Sequence, residues 1–333
     1  MTRILGALRT SSTPAIVLFA VTFALTAVVN PRFLSPVGQT NFFGSYLPLV
    51  LVAMAMAVIM VTGGIDLSLG AVMTLVNVVF ITLVGHGVPV VLAVAAGVLA
   101  ALAVGAVNGL LVSAGRIPPL LATLGTMFVV NGICLTVMPV SGGSAPTEMV
   151  AGYASGIAYI PVALIAVVAA IAAWVVFSRT KLSLRMYAVG GDATAAYASG
   201  LAVPRVTWLS YVIGAGIASV AAMALTANVA TGGPDIAGTY TMSAIAAAVI
   251  GGVALSGGTG SPVGAVFGAL FLGLISNLVL SLGISSYFVS AVTGAVVLAG
   301  IVLTSLVRRD SALLSWRRTA APQSPSAQEG APA

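Results

Sequence analysis

The sequence predicts an all-α polytopic membrane protein of about ten transmembrane helices, and three observations predict it. Nine or ten long apolar runs fill the chain almost end to end, and 60% of its 333 residues are hydrophobic. Only 12 Lys and Arg and 6 Asp and Glu are present. The basic residues gather at the ends of the runs. A bilayer core offers no water to backbone amides or charges, so a spanning helix needs about 20 mostly apolar residues. A soluble chain of this size could not cover so much apolar surface. The net charge of +6 reports orientation through the positive-inside rule and does not point to a nucleic-acid partner.

Taken in order, residues 1–13 with Arg3 and Arg9 are expected in the cytoplasm, ahead of a first span at 14–29. A charged start before an apolar run resembles a signal peptide, but the many later spans favour an uncleaved first helix. Spans at 46–62, 70–85 and 88–113 then lead to Arg116, and 118–138 and 158–178 lead to Arg179, Lys181, Arg185 and Arg205. The runs 207–230, 241–255, 262–282 and 287–307 end at Arg308 and Arg309. Counted between these basic sites, the spans number four, two and four, the even numbers that cytoplasmic basic sites require. Arg32, in the outer loop Asn30-Pro31-Arg32-Phe33, is the one exception. Residues 14–307 thus form the transmembrane domain, with a cytoplasmic loop at 179–206. Residues 308–333, small, polar and Pro-rich from Thr319 onward, read as a disordered cytoplasmic tail.

An internal echo supports two related four-helix blocks. Gly63-Gly64-Ile65-Asp66-Leu67-Ser68 precedes Gly70-Ala71-Val72, and Gly251-Gly252-Val253-Ala254-Leu255-Ser256 precedes Gly264-Ala265-Val266. Transporters built from repeats carry Gly-interrupted segments at matching positions, and these mark the pathway. The parity makes the blocks parallel; one miscounted short helix would make them inverted.

Asp66 is the only acid in the apolar stretch 46–85. At the centre of a helix it would cost about 2.5–3.5 kcal/mol. A break at Gly63-Gly64, with Asp66 capping the next helix through amides near Ser68, is cheaper. Direct contact with a solute or ion is the other reading, since intramembrane acids are functional by default. Asn77, Asn108, Asn131, Asn228 and Asn277 also lie in apolar runs, where asparagine more often ties helices together than binds a ligand. Cys134 is a small packing residue, with no second cysteine to pair with. His86, in a Gly-His-Gly turn, is an interfacial loop histidine and has no second histidine to share a metal.

The cytoplasmic loop carries its own signal in Gly190-Gly191-Asp192-Ala193-Thr194-Ala195-Ala196-Tyr197-Ala198-Ser199-Gly200. Asp192 is a good N-cap, alanine the best helix former and Gly200 a left-handed stop. So short a helix needs something to pack on, either a groove on a partner protein or the lipid surface. The only lysine, Lys181, lies in no Gly-x-x-x-x-Gly-Lys-Ser/Thr, so this chain is not its own ATPase. Nucleophile elbows and metal-ligand spacings are lacking too.

Three stretches together resemble a known family: Gly63 to Gly70, Tyr187-Ala-Val-Gly-Gly-Asp192 with Ser199-Gly200, and Ala244 to Gly252 with Ser256-Gly-Gly258. Their order and spacing are similar to the permease subunits of bacterial ribose-type ABC sugar importers, which also serve xylose, arabinose, galactose and autoinducer-2. The resemblance covers about residues 15–307. It implies a permease homo- or heterodimer in the cytoplasmic membrane, a periplasmic or lipid-anchored binding protein, and a cytoplasmic ATPase that holds ATP and Mg. It further implies that 190–200 is the helix that docks on that ATPase. Members commonly carry an acid where this chain has Ser243, so a pentose is not assumed.

The expected function is therefore import of a sugar or sugar-like solute through a permease with no cofactor of its own. The binding protein would deliver the solute to an outer mouth formed by loops near 140–157 and 231–240. Pathway candidates are Gly63, Gly64, Asp66, Ser68, Asn131, Ser243, Gly251 and Gly252; coupling candidates are Gly190, Gly191, Asp192, Ala195, Ala196, Tyr197 and Gly200. The alternative is a proton-coupled carrier working through Asp66. A membrane enzyme comes last.

Overall fold

The computed structural model describes residues 2–157 and 159–285, with 287, 288, 291, 292, 294 and 295. Most of the run 287–307 and all of 308–333 lie outside the described residues. Helix α1 covers Thr2–Val29, so it runs through the stretch assigned to a separate N-terminus. A 3-10 turn at Pro31–Leu34 leads into α2, Pro36–Val61. That start is ten residues earlier than the apolar run at 46 suggested. The Ser35 hydroxyl caps α2 by accepting the Gly38 amide, and Gln39 and Thr40 satisfy themselves on the Phe33 and Pro36 carbonyls. Polar residues with local partners let the helix extend beyond its apolar part.

Further along come α3 (Leu69–Gly85), α4 (Val90–Ser113), α5 (Pro119–Val137) and a short α6 (Thr147–Tyr153). Two-residue strands β1 (Gly156–Ile157) and β2 (Ile160–Pro161) pair antiparallel before α7, Val162–Phe177. Two helices follow, α8 (Lys181–Gly191) and α9 (Ala193–Ala198). The membrane part resumes with α10 (Val203–Val229), α11 (Tyr240–Ile250) and α12 (Pro262–Ser281).

Six of the described helices, α1, α2, α4, α5, α10 and α12, are long and apolar enough to cross a bilayer. Helices α7 and α8 together would make a seventh span, bent by 81°. The expected span 241–255 is corrected: α11 stops at Ile250, and its 11 residues rise only about 17 Å, half of a bilayer core. Gly251-Gly252 end it, and Gly252 at φ +85° takes a left-handed conformation open to glycine.

Helix α2 is the axis of the molecule. Every residue from Leu47 to Val61 is buried, which accounts for a segment apolar on all faces. Helices α7, α10, α11 and α12 pack around it. Helix α4 meets α3 and α10 through small residues one turn apart, namely Gly97, Ala101, Gly105 and Gly109. A methyl group at Gly105 would lie 2.8 Å from the Tyr211 carbonyl oxygen, and one at Gly109 2.9 Å from that of Trp208. Such bare positions let membrane helices approach closely where no hydrophobic drive exists between them. The outward faces of α1, α4 and α5 remain apolar, with Val28, Val91, Leu121, Phe128 and Val129 exposed.

Candidate translocation and coupling site

After Val61 the backbone turns through Thr62 and Gly63, whose φ of +83° is again a glycine conformation, and α3 starts only at Leu69. Asp66 sits in this break with 1% of its surface exposed. Its Oδ1 accepts the Ser68 amide at 2.8 Å and the Ser68 hydroxyl at 2.6 Å. Asn108 of α4 donates to both carboxylate oxygens, at 3.4 and 3.3 Å, and to the Ser68 hydroxyl at 2.8 Å. The residue at the helix N-cap is Ser68, and Asp66 fastens the turn before it. Sequence reasoning placed the carboxylate and its amide correctly and the cap two residues early.

Three more side chains close round this break. The Thr123 hydroxyl of α5 accepts the Leu67 amide at 3.0 Å, and the Tyr211 hydroxyl of α10 donates to the Ile65 carbonyl at 3.5 Å. Thr241 of α11 accepts the Gly70 amide at 2.8 Å and donates to the Leu67 carbonyl at 3.3 Å. Backbone groups that α2 and α3 leave unpaired are thus satisfied by neighbouring helices, as buried irregular backbone requires. Thr123, Tyr211 and Thr241 carry no local signal in the sequence; only the fold brings them here.

Ser243 and Asn131 do not join this cluster. The Ser243 hydroxyl donates to the Thr239 carbonyl at 3.1 Å within its own helix. Asn131, half-buried on α5, lies eight residues beyond Thr123, about 12 Å along the axis. Gly251 instead serves packing: a Cβ there would overlap the backbone at Gly264 and Ala265 of α12.

The two echoed breaks meet each other. The Gly258 amide donates to the Val61 carbonyl at 3.0 Å, and a methyl at Gly63 would lie 3.5 Å from the Ser256 carbonyl oxygen. Helix α8 ends on the same spot, with the Tyr187 hydroxyl donating to the Gly260 carbonyl at 2.8 Å. Gly190 and Gly191 form the last turn of α8, just ahead of the expected cap at Asp192. Asp192 then caps α9, accepting the Thr194 and Ala195 amides at 2.9 Å each, and Gly200 at φ +81° stops it. On α9, Ala195 is exposed and Tyr197 is 72% exposed, but Ala196 is only 5% exposed and faces the chain's own core. Ala196 is thereby corrected from an outward to an inward position.

At the far end of the bundle the loops expected to form a mouth do come together. Gly142 and Gly232 exchange both backbone hydrogen bonds, at 3.0 and 3.1 Å, and the Ala145 amide donates to the Ala230 carbonyl at 3.0 Å. Asn77 of α3 holds the second loop: its amide nitrogen donates to Thr226 and to the Thr231 carbonyl, and its oxygen accepts the Gly233 amide.

Residues 39–303 match the family described as branched-chain amino acid transport system / permease component. The chain belongs to this permease family. Ribose import permease protein RbsC of Bacillus subtilis (strain 168) is 35% identical over 286 residues, 84% of this chain and 88% of its own. RbsC of Escherichia coli (strain K12) is 31% identical, over 87% of this chain and 92% of its own. D-allose transport system permease protein AlsC of the same organism is 30% identical, over 88% and 91%. No solved structure matches the chain. As a permease of an ATP-binding cassette importer, it is a multi-pass inner-membrane protein and not an enzyme, and ATP is hydrolysed by a separate ATPase subunit. Such a permease works with that ATPase and a solute-binding protein. The proton-carrier alternative falls with this membership.

Proposed function

We propose that this permease imports a sugar or sugar-like solute. Matching relatives named for ribose, allose and fructose support that class over the amino acids in the family's description. Ser243 stands where members commonly carry an acid, and its hydroxyl bonds the Thr239 carbonyl, so the solute is not restricted to pentoses.

In this reading ten spans cross the membrane. They are α1 to α5, α7, α10, α12, the short α11 together with the irregular stretch 230–239 that leads into it along α3, and the run at 287–307, with both termini in the cytoplasm. Both Gly-interrupted breaks then lie at the cytoplasmic end, and the joined loops around Gly142 and Gly232 at the outer end. A binding protein delivers the solute to the outer loops. Two permease subunits, identical or different, enclose the path between their apolar faces. Half-buried Asn131 lines part of it, and the buried Asp66 and Ser68 hold the break beside it in shape. Helix α9 docks on the ATPase through Ala195 and Tyr197, while Gly191, Asp192 and Gly200 set its ends; ATP and Mg belong to that partner.

The observation that carries the reading is the arrangement of α9: a well-capped two-turn helix with an exposed aromatic, joined through α8 to both breaks. Uptake of labelled sugars by proteoliposomes tests it. The complex of permease, ATPase and binding protein should accumulate one or more of ribose, allose and fructose. Accumulation of a branched-chain amino acid in place of every sugar would overturn the solute class.

A further inference from the structure

We propose that Gly190, Gly257 and Gly258 are positioning residues for transport, forming a bare-backbone junction through which ATPase movement reaches both breaks. The inference rests on the reading that α9 docks the ATPase. Three separate stretches of chain meet here without an intervening side chain. A Cβ at Gly190 would overlap the Val61 carbonyl and lie 2.6 Å from the Gly258 nitrogen. One at Gly257 would lie 2.6 Å from the Gly63 nitrogen and 2.9 Å from the Gly190 carbonyl oxygen. One at Gly258 would lie 2.6 Å from the Gly191 Cα.

Contact between backbones is stiff in a way that contact between side chains is not, because no rotamer can give. A shift of the last turn of α8 must therefore move Val61, at the end of α2, or the loop at 257–258, or both. Two hydrogen bonds keep the parts in register: Gly258 to Val61 at 3.0 Å and Tyr187 to the Gly260 carbonyl at 2.8 Å. Gly85, the last residue of α3, supplies a control. A Cβ on it would meet nothing within 4 Å, so its substitution adds a methyl group to the same chain away from the junction.

The test uses the whole complex, with sugar uptake and ATP hydrolysis measured together and expressed as transport per ATP. Gly190→Ala should assemble with the ATPase and hydrolyse ATP, but transport per ATP should fall about 2- to 30-fold, the range for substitutions along a coupling network. Gly85→Ala should match the unaltered chain. Should Gly190→Ala fail to assemble, Tyr187→Phe decides, since it removes one hydroxyl and keeps the ring. A fall in transport per ATP with normal assembly supports the junction, and an unchanged ratio overturns it. An unchanged ratio in Gly190→Ala, or an equal fall in Gly85→Ala, also overturns it. Failure of the ATPase to bind even the unaltered chain would overturn the docking reading along with the junction.

Discussion

Asn108 donates to the Ser68 hydroxyl at 2.8 Å across 40 residues of sequence, and the same nitrogen reaches both Asp66 oxygens. One asparagine on α4 thereby holds the turn that starts α3. Its own Oδ1 has no hydrogen-bond partner among the described residues.

That spare oxygen sets the expectation for Asp66. In Asp66→Asn the carbonyl still accepts the Ser68 amide, and a flipped Asn108 can accept from the new amide. The protein should assemble and keep part of its transport. Asp66→Leu leaves the Ser68 amide and hydroxyl without their acceptor, at a cost of about 1–3 kcal/mol for each buried orphan, and should lower assembly. Thermal unfolding in detergent, with transport measured beside it, separates the two. Normal assembly of Asp66→Asn with no transport at all would assign the carboxylate a direct part in the pathway.

Asn108→Leu should destabilise the permease by about 1–2 kcal/mol, because two buried acceptors lose their donor within the membrane. Unfolding at the wild-type temperature would mean that the turn holds itself without α4.

The exposed and inward alanines of α9 should separate cleanly. Ala195→Glu places a carboxylate on the face that docks the ATPase and should reduce its co-purification with the permease intact. Ala196→Glu drives a charge into the chain's own core and should lower the yield of folded permease itself. Tyr197→Ala should act like Ala195→Glu but more mildly, through loss of one aromatic anchor. Wild-type ATPase recovery with Ala195→Glu and Tyr197→Ala would remove α9 as the docking element.

Asn77→Leu should free the loop after α10. All three hydrogen bonds of its side chain go to Thr226, Thr231 and Gly233. Hydrogen exchange at 231–235 should rise with little change in the amides of α2. Unchanged exchange there would show that the pairing of Gly142 with Gly232 suffices.

The membrane class and most helices were legible because hydropathy acts locally: a run such as 88–113 announces α4 by itself. The Gly63-Gly64 break and the Asp66 turn were legible for the same reason, since glycine conformation and Asx bonding span a few residues. Helix α11 was overextended because apolar residues continue past Gly251, where only the backbone turns. The early start of α2 was missed because Gln39 and Thr40 hide their polarity in local hydrogen bonds. Thr123, Tyr211 and the meeting of Gly190 with Gly258 were invisible, since each depends on helices packed from distant sequence. Ala196 looked like Ala195 because a six-residue helix carries too little pattern to tell its faces apart.

The most direct measurement is the energy source of uptake in sealed vesicles. With the ATPase and binding protein present, sugar accumulation should follow ATP and survive collapse of the proton gradient. With the permease alone, an imposed pH gradient should drive none. Accumulation driven by the pH gradient in the absence of the ATPase would contradict an ATP-driven importer.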